Sequence, residues 1–238
     1  MNDLKVRRWA GAFGLAGFVV FLVALPLYFV GPQPTARLED MVQFSYSVSR
    51  TSILILMRTT LADPLIMVGL LVFLAGFRRL IRQARPDDEW VGTLVFGAGL
   101  VVITLELVGD ALQGGAALDT SVKADPSVVR GLMESSFVFY GAIGLMMSAL
   151  LLASAGYATL STGVLPRWTG WAAYVAAVVN LVAAPSIFGG TDYTGFYTAS
   201  GYVTFIGQGA MVIWFLIASV SMLVVKREAK AMTPTYAG

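Results

Sequence analysis

The chain has 238 residues, of which 57% are hydrophobic and 13% charged, whereas soluble domains carry about 25% charged residues. That balance belongs to a membrane protein, and the length has room for about six helical spans of roughly 20 residues each with short connections. The chain contains no cysteine and no histidine. Disulfides, thiolate nucleophiles, Ser-His-Asp triads and the usual histidine-ligated zinc and haem sites are therefore excluded, and acid–base chemistry falls to carboxylates. No residue set points to a metal or other cofactor.

The first apolar run, Trp9 to Val30, follows Lys5, Arg7 and Arg8. It is longer than the roughly 7–15-residue core of a signal peptide and lacks an Ala-x-Ala cleavage pattern, so it reads as a retained first helix. A polar connection from Gly31 to Ser47 carries Glu39 and Asp40. The second apolar region, 53–78, is interrupted by Arg58, Asp63 and Pro64 and ends in Arg78, Arg79, Arg82 and Arg85. Asp is a favoured N-cap and Pro a favoured first helical residue, so Asp63-Pro64 is expected to start a helix, with an interfacial helix from Val48 to Leu61 before it. The alternative is one long helix kinked at Pro64, which places Arg58 inside the membrane.

The third run, 90–112, starts after Asp87, Asp88 and Glu89, where negative charge favours a helix N-terminus. The fourth covers 128–157, and GVLPRW leads into the fifth, 168–187, which ends near Pro185. A connection rich in Gly, Thr and Tyr, Gly189 to Gly201, precedes the sixth, 202–225. It either caps the site as a lid or rests its tyrosines at the membrane interface. The expected fold is a single all-α domain, a polytopic bundle of six transmembrane helices.

Eleven of the 16 Lys and Arg residues fall on one side of this scheme: Lys5, Arg7, Arg8, Arg78, Arg79, Arg82, Arg85, Arg167, Lys226, Arg227 and Lys230. The positive-inside rule puts that side, and both termini, in the cytoplasm. Trp9, Trp90, Trp168 and Trp171 share this edge as an interfacial aromatic belt does. The basic residues cluster at span ends and form no stripe for nucleic acid.

Ionisable residues within spans point to function. At 1.5 Å per residue from Trp90, Glu106 lies about 24 Å along its helix and Asp110 about 30 Å, on one shared face. Arg58 and Asp63, Arg130 and Glu134, and Gln208 reach a similar depth from three other spans. Converging, they form an acidic vestibule open to the outer side, suited to a cation, a proton or an amine. Apart, they are interfacial ion pairs whose tips reach water. Glu106 is the deepest acid. Asn180 is the strong hydrogen-bonding side chain nearest mid-membrane and reads as interhelical glue or as a ligand contact. Gly11, Gly14, Gly17, Gly141, Gly144, Gly207 and Gly209 suit close helix contact, inside the bundle or between protomers.

Every lysine lies outside the spans, which excludes a retinal Schiff base. The stretches RRWAGAFGLAG, Arg7 to Gly17, and STGVLPRWTGW, Ser161 to Trp171, resemble those of an uncharacterised family of small polytopic bacterial membrane proteins. The resemblance implies about six spans in the bacterial cytoplasmic membrane and no catalytic residues. Three functions are expected: small-molecule or cation binding with proton-coupled transport, acid catalysis by Glu106, Asp110 or Glu134 on an isoprenoid or lipid-like substrate, or a non-catalytic subunit. The partners that follow are the bilayer, a small amphipathic or apolar ligand, and a second copy or membrane partner at the glycine faces.

Overall fold

The computed structural model describes residues 3–30, 49–118, 125–190 and 195–224. Lys226, Arg227, Lys230 and the connection bearing Glu39 and Asp40 lie outside them. Among the described residues the chain is helical without strands, and six helices are long and apolar enough to cross a membrane. They are α1 (Asp3–Phe29), α2 (Ser52–Ala84), α3 (Pro86–Leu118), α4 (Ser127–Thr162), α5 (Arg167–Gly189) and α6 (Tyr202–Val224). Each packs against its chain neighbours, and α6 returns to α1, so the six form a closed ring.

Most of these helices are longer than the apolar runs that announce them. Hydropathy marks only the stretch suited to hydrocarbon, whereas backbone hydrogen bonding carries a helix on through polar residues such as those of FRRLIRQA at the end of α2. At one end of the bundle Arg7 Nη1 donates to the Val164 carbonyl (2.7 Å) and Arg85 Nη1 to that of Ser161 (3.3 Å). These bonds tie the start of α1 and the end of α2 to the α4–α5 connection, and they define a basic end. That connection turns at Gly163, whose φ of 66° is the left-handed conformation that glycine adopts without steric penalty.

The ring closes over Phe73 and Phe77 of α2 and Trp214 of α6, all fully buried. Trp214 meets Phe73 edge-on at 6.3 Å and donates from Nε1 to the Thr169 carbonyl (3.0 Å), so its one polar atom is satisfied. In a bilayer the apolar effect does not favour helix contact over lipid, and close packing of small residues replaces it. Gly17 stacks on Gly69 between α1 and α2, and Gly11 and Gly14 face Ser219 of α6. Gly207 faces Leu145 and Ala183. These glycines serve contacts within the bundle, whereas Gly209 faces open space.

The region of α2 before Asp63 departs from the expected cap. Asp63 has helical φ and ψ of −64° and −43°, and the helix runs unbroken from Ser49 to Ala84 through a π turn at Arg58–Ala62. The Asp63 N–H bonds back five residues, to the Arg58 carbonyl. Pro64 has no N–H to give to the fourth residue before it, so the wider turn accommodates the proline without ending the helix. The Thr59 and Thr60 hydroxyls donate to carbonyls four residues back, an arrangement that bends a helix. From Ser49, where the described residues resume, to Leu61 there is thus no separate interfacial helix, and Arg58 belongs to the long apolar helix.

A second π turn, Phe139–Ile143, interrupts α4. There the Gly144 N–H reaches the Phe139 carbonyl five residues back. The Tyr140 carbonyl, four residues back, accepts instead from Gln208 Nε2 of α6 (3.1 Å).

Candidate functional site

Both π turns pack against α3, and together with it they hold a network centred on Arg58. Arg58 is 6% exposed, beside Asp63 and Asp110, each 3% exposed. Arg58 Nη1 lies 3.0 Å from Asp63 Oδ2 and 3.7 Å from Asp110 Oδ1. Arg58 Nη2 donates to Gln113 Oε1, and Gln113 Nε2 donates to Ser136 Oγ (3.0 Å), which donates to the Met133 carbonyl (2.7 Å).

Two tyrosines complete it. Tyr140, inside the α4 π turn, donates its hydroxyl to Asp110 Oδ1 at 2.6 Å. Tyr28, in the 3-10 turn Leu25–Phe29 that ends α1, donates to Asp63 Oδ1, and the Arg58 guanidinium lies 4.8 Å from the centre of its ring. A buried guanidinium needs both charge compensation and hydrogen-bond partners, and four helices supply them here. The local packing is built for it. A Cβ added at Gly109 of α3 would sit 2.6 Å from the Tyr140 ring, so the ring reaches Asp110 only over glycine.

Glu106 differs from its neighbours. The residues three and four positions away, Val102, Ile103, Gly109 and Asp110, are all buried, which puts Glu106 on the inward stripe of α3. Its side chain is nonetheless half-buried and makes no hydrogen bond or ion pair among the described residues. It interacts electrostatically with Asp63, Arg58 and Tyr140. Asp63 and Asp110 are thus engaged by the one guanidinium, while Glu106 stands beyond ion-pair distance of it.

The remaining expected residues lie elsewhere. Glu134 accepts from Arg130 Nε at 2.8 Å along its own helix, on a solvent- or lipid-exposed face, and does not bond to the Arg58 network. The i,i+4 spacing makes that pairing local, so convergence with Glu106 is not needed to satisfy it. Asn180 is fully buried and donates to the Ala176 carbonyl (2.8 Å) and to that of Gly207 (2.9 Å), linking α5 to α6. Gln208 meets the network indirectly, through the Tyr140 carbonyl. In the last connection Thr198, Ala199 and Ser200 are buried, and Tyr197 donates to the Val182 carbonyl (2.7 Å). Tyr193 of the expected lid lies outside the described residues.

Tyr28, Gln113, Ser136 and Tyr140 belong to the network without having been expected there. Gln113 is three residues after Asp110 and shares its face. Ser136 and Tyr140 fall on one helical stripe with Met133. Those spacings were the available signal. An apolar cavity of about 210 Å³ lies between α4 and α5, lined by Ala142, Met146, Leu181 and Phe188 among others, and no network residue borders it. Comparison with protein-family models, curated proteins and solved structures found no match for the chain.

Proposed function

We propose that this is a multi-pass protein of the bacterial cytoplasmic membrane, with the basic end and both termini in the cytoplasm. In this reading it binds a cation or proton beside Glu106 and uses that site for small-molecule binding or proton-coupled transport. The observation that carries it is the charge imbalance around Arg58. Asp63 and Asp110 are held by the guanidinium and by tyrosine hydroxyls, while Glu106, one turn from Asp110 on α3, makes no ion pair or hydrogen bond among the described residues. An uncompensated carboxylate inside a membrane protein is costly, and a proton or small cation relieves that cost.

Ligand number favours a proton or a monovalent cation, because among the described residues no three acidic side chains are grouped to hold a metal ion. The two π turns add support, since such turns are frequent at functional sites. Lys5, Arg7, Arg8 and the arginines of α2 support the orientation. Acid catalysis on a lipid-like substrate calls for an apolar pocket ending at Glu106, and the cavity between α4 and α5 has none of the network in its walls.

The test is proton flux into proteoliposomes under an imposed membrane potential, read with an internal pH dye. Flux in the native protein that is lost in Glu106→Gln supports the reading. Equal flux in the two, or none above empty vesicles in either, overturns it.

A further inference from the structure

The outward faces of α1 and α2 are apolar along their length and end in cations at the same level. On α2, Leu65, Val68, Val72 and Ala75 follow helical spacing toward Arg79 and Arg82. On α1, read toward its N-terminus, Val23, Val19, Ala16 and Ala12 lead in the same way to Arg8 and Lys5. Val23 is 77% exposed and Leu65 58%, so both strips face away from the ring. The helices are neighbours in that ring, held close where Gly17 meets Gly69 and Gly76 meets Ala10. With Ala10 opposite Gly76 in antiparallel packing, Lys5 and Arg8 stand at the height of Arg79 and Arg82 to within about one turn.

We infer that this face binds one anionic phospholipid. Its phosphate sits between Lys5 and Arg8 on one side and Arg79 and Arg82 on the other, and its two acyl chains lie along the two apolar strips. Trp9, 56% exposed beside Arg8, is an aromatic residue suited to the headgroup level. The nearby acids do not abolish the field. Glu89 approaches Arg82 only to 3.7 Å, with both side chains about half exposed, and a guanidinium has five N–H donors to share. Asp3, Asp87 and Asp88 are the other carboxylates at this end of the two helices and α3. Asp88 pairs with Arg85 at 3.6 Å, and Arg79, half-buried, is itself engaged within the protein, so it contributes charge to the site more than free donors. A zwitterionic headgroup gains less from four cations than an anionic one, which makes the preference electrostatic.

The inference is tested by titrating the purified full chain, in nanodiscs of phosphatidylcholine, with phosphatidylglycerol and reading bound lipid by native mass spectrometry. Preferential retention of phosphatidylglycerol is expected. Neutralising Lys5 and Arg8 together, or Arg79 and Arg82 together, with glutamine should weaken it about 25-fold, at roughly fivefold per charge. Arg167→Gln, at the same end on α5, should leave it unchanged, and Arg79→Lys with Arg82→Lys should retain it, which separates lost charge from lost folding. Equal retention of the two lipids overturns the site, as does an equal loss on Arg167→Gln, the mark of a diffuse charge effect. Competition by inorganic phosphate or glycerol phosphate as strong as that by the lipid would mean a phosphate site that ignores the chains, and it too overturns the inference.

Discussion

Tyr140 donates its hydroxyl to Asp110 at 2.6 Å from inside a π turn, so a departure from regular α-helix in α4 is what carries the hydroxyl to α3. A hydrogen bond to a charged acceptor contributes about 1.5–3 kcal/mol. Tyr140→Phe should lower stability by about that amount, measured by thermal unfolding in detergent. A fall of less than a few tenths of a kcal/mol would mean that the bond is not formed in the membrane protein.

Arg58 compensates two buried carboxylates at once. Arg58→Met should therefore destabilise by about 3–5 kcal/mol, because Asp63 and Asp110 stay behind unpaired. Adding Asp63→Asn and Asp110→Asn to that variant should recover a large part of the loss. Recovery separates charge balance from the simple loss of a large side chain, and its absence would count against a charge-centred network.

Two glycines of α3 should respond in opposite ways. Gly109→Ala drives a methyl into the Tyr140 ring and is expected to cost about 1–3 kcal/mol. At Gly97 an added Cβ meets nothing within 4 Å, so Gly97→Ala should be neutral or stabilise by up to about 1 kcal/mol through helix propensity. Unfolding temperatures of the two variants side by side check the pair.

The absence of native cysteine makes the orientation directly measurable. Leu118→Cys, at the far end of α3, should react with a membrane-impermeant maleimide in intact cells. Arg85→Cys, at the basic end, should react only after the membrane is opened. The reverse pattern would invert the proposed topology.

The six long apolar helices and the meeting of Arg7 and Arg85 with the chain before Arg167 at one end were legible because each rests on a redundant signal: runs of apolar residues, and arginines beside Trp9 and Trp168. The path of α2 was not. Asp63-Pro64 matches a helix start in local chemistry, and only the surroundings, Tyr28 and Arg58 holding the Asp63 carboxylate, let the helix run through a π turn instead. That Arg58, Asp63 and Asp110 stand at one level was readable from helical rise. Which of the acids would meet was not, since Glu134 had a local partner in Arg130 that spacing alone could not rank against a distant one. Tyr28 and Tyr140 were hidden among apolar neighbours, where an aromatic side chain reads as packing.

The most direct measurement is infrared difference spectroscopy of the protein in lipid across a pH titration, following the C=O stretch of protonated carboxyl groups. A carboxyl band that titrates in the native protein and is missing from the Glu106→Gln variant is the result expected of a proton site at Glu106. A band unchanged by Glu106→Gln, or no titrating carboxyl band in the native protein, would contradict it.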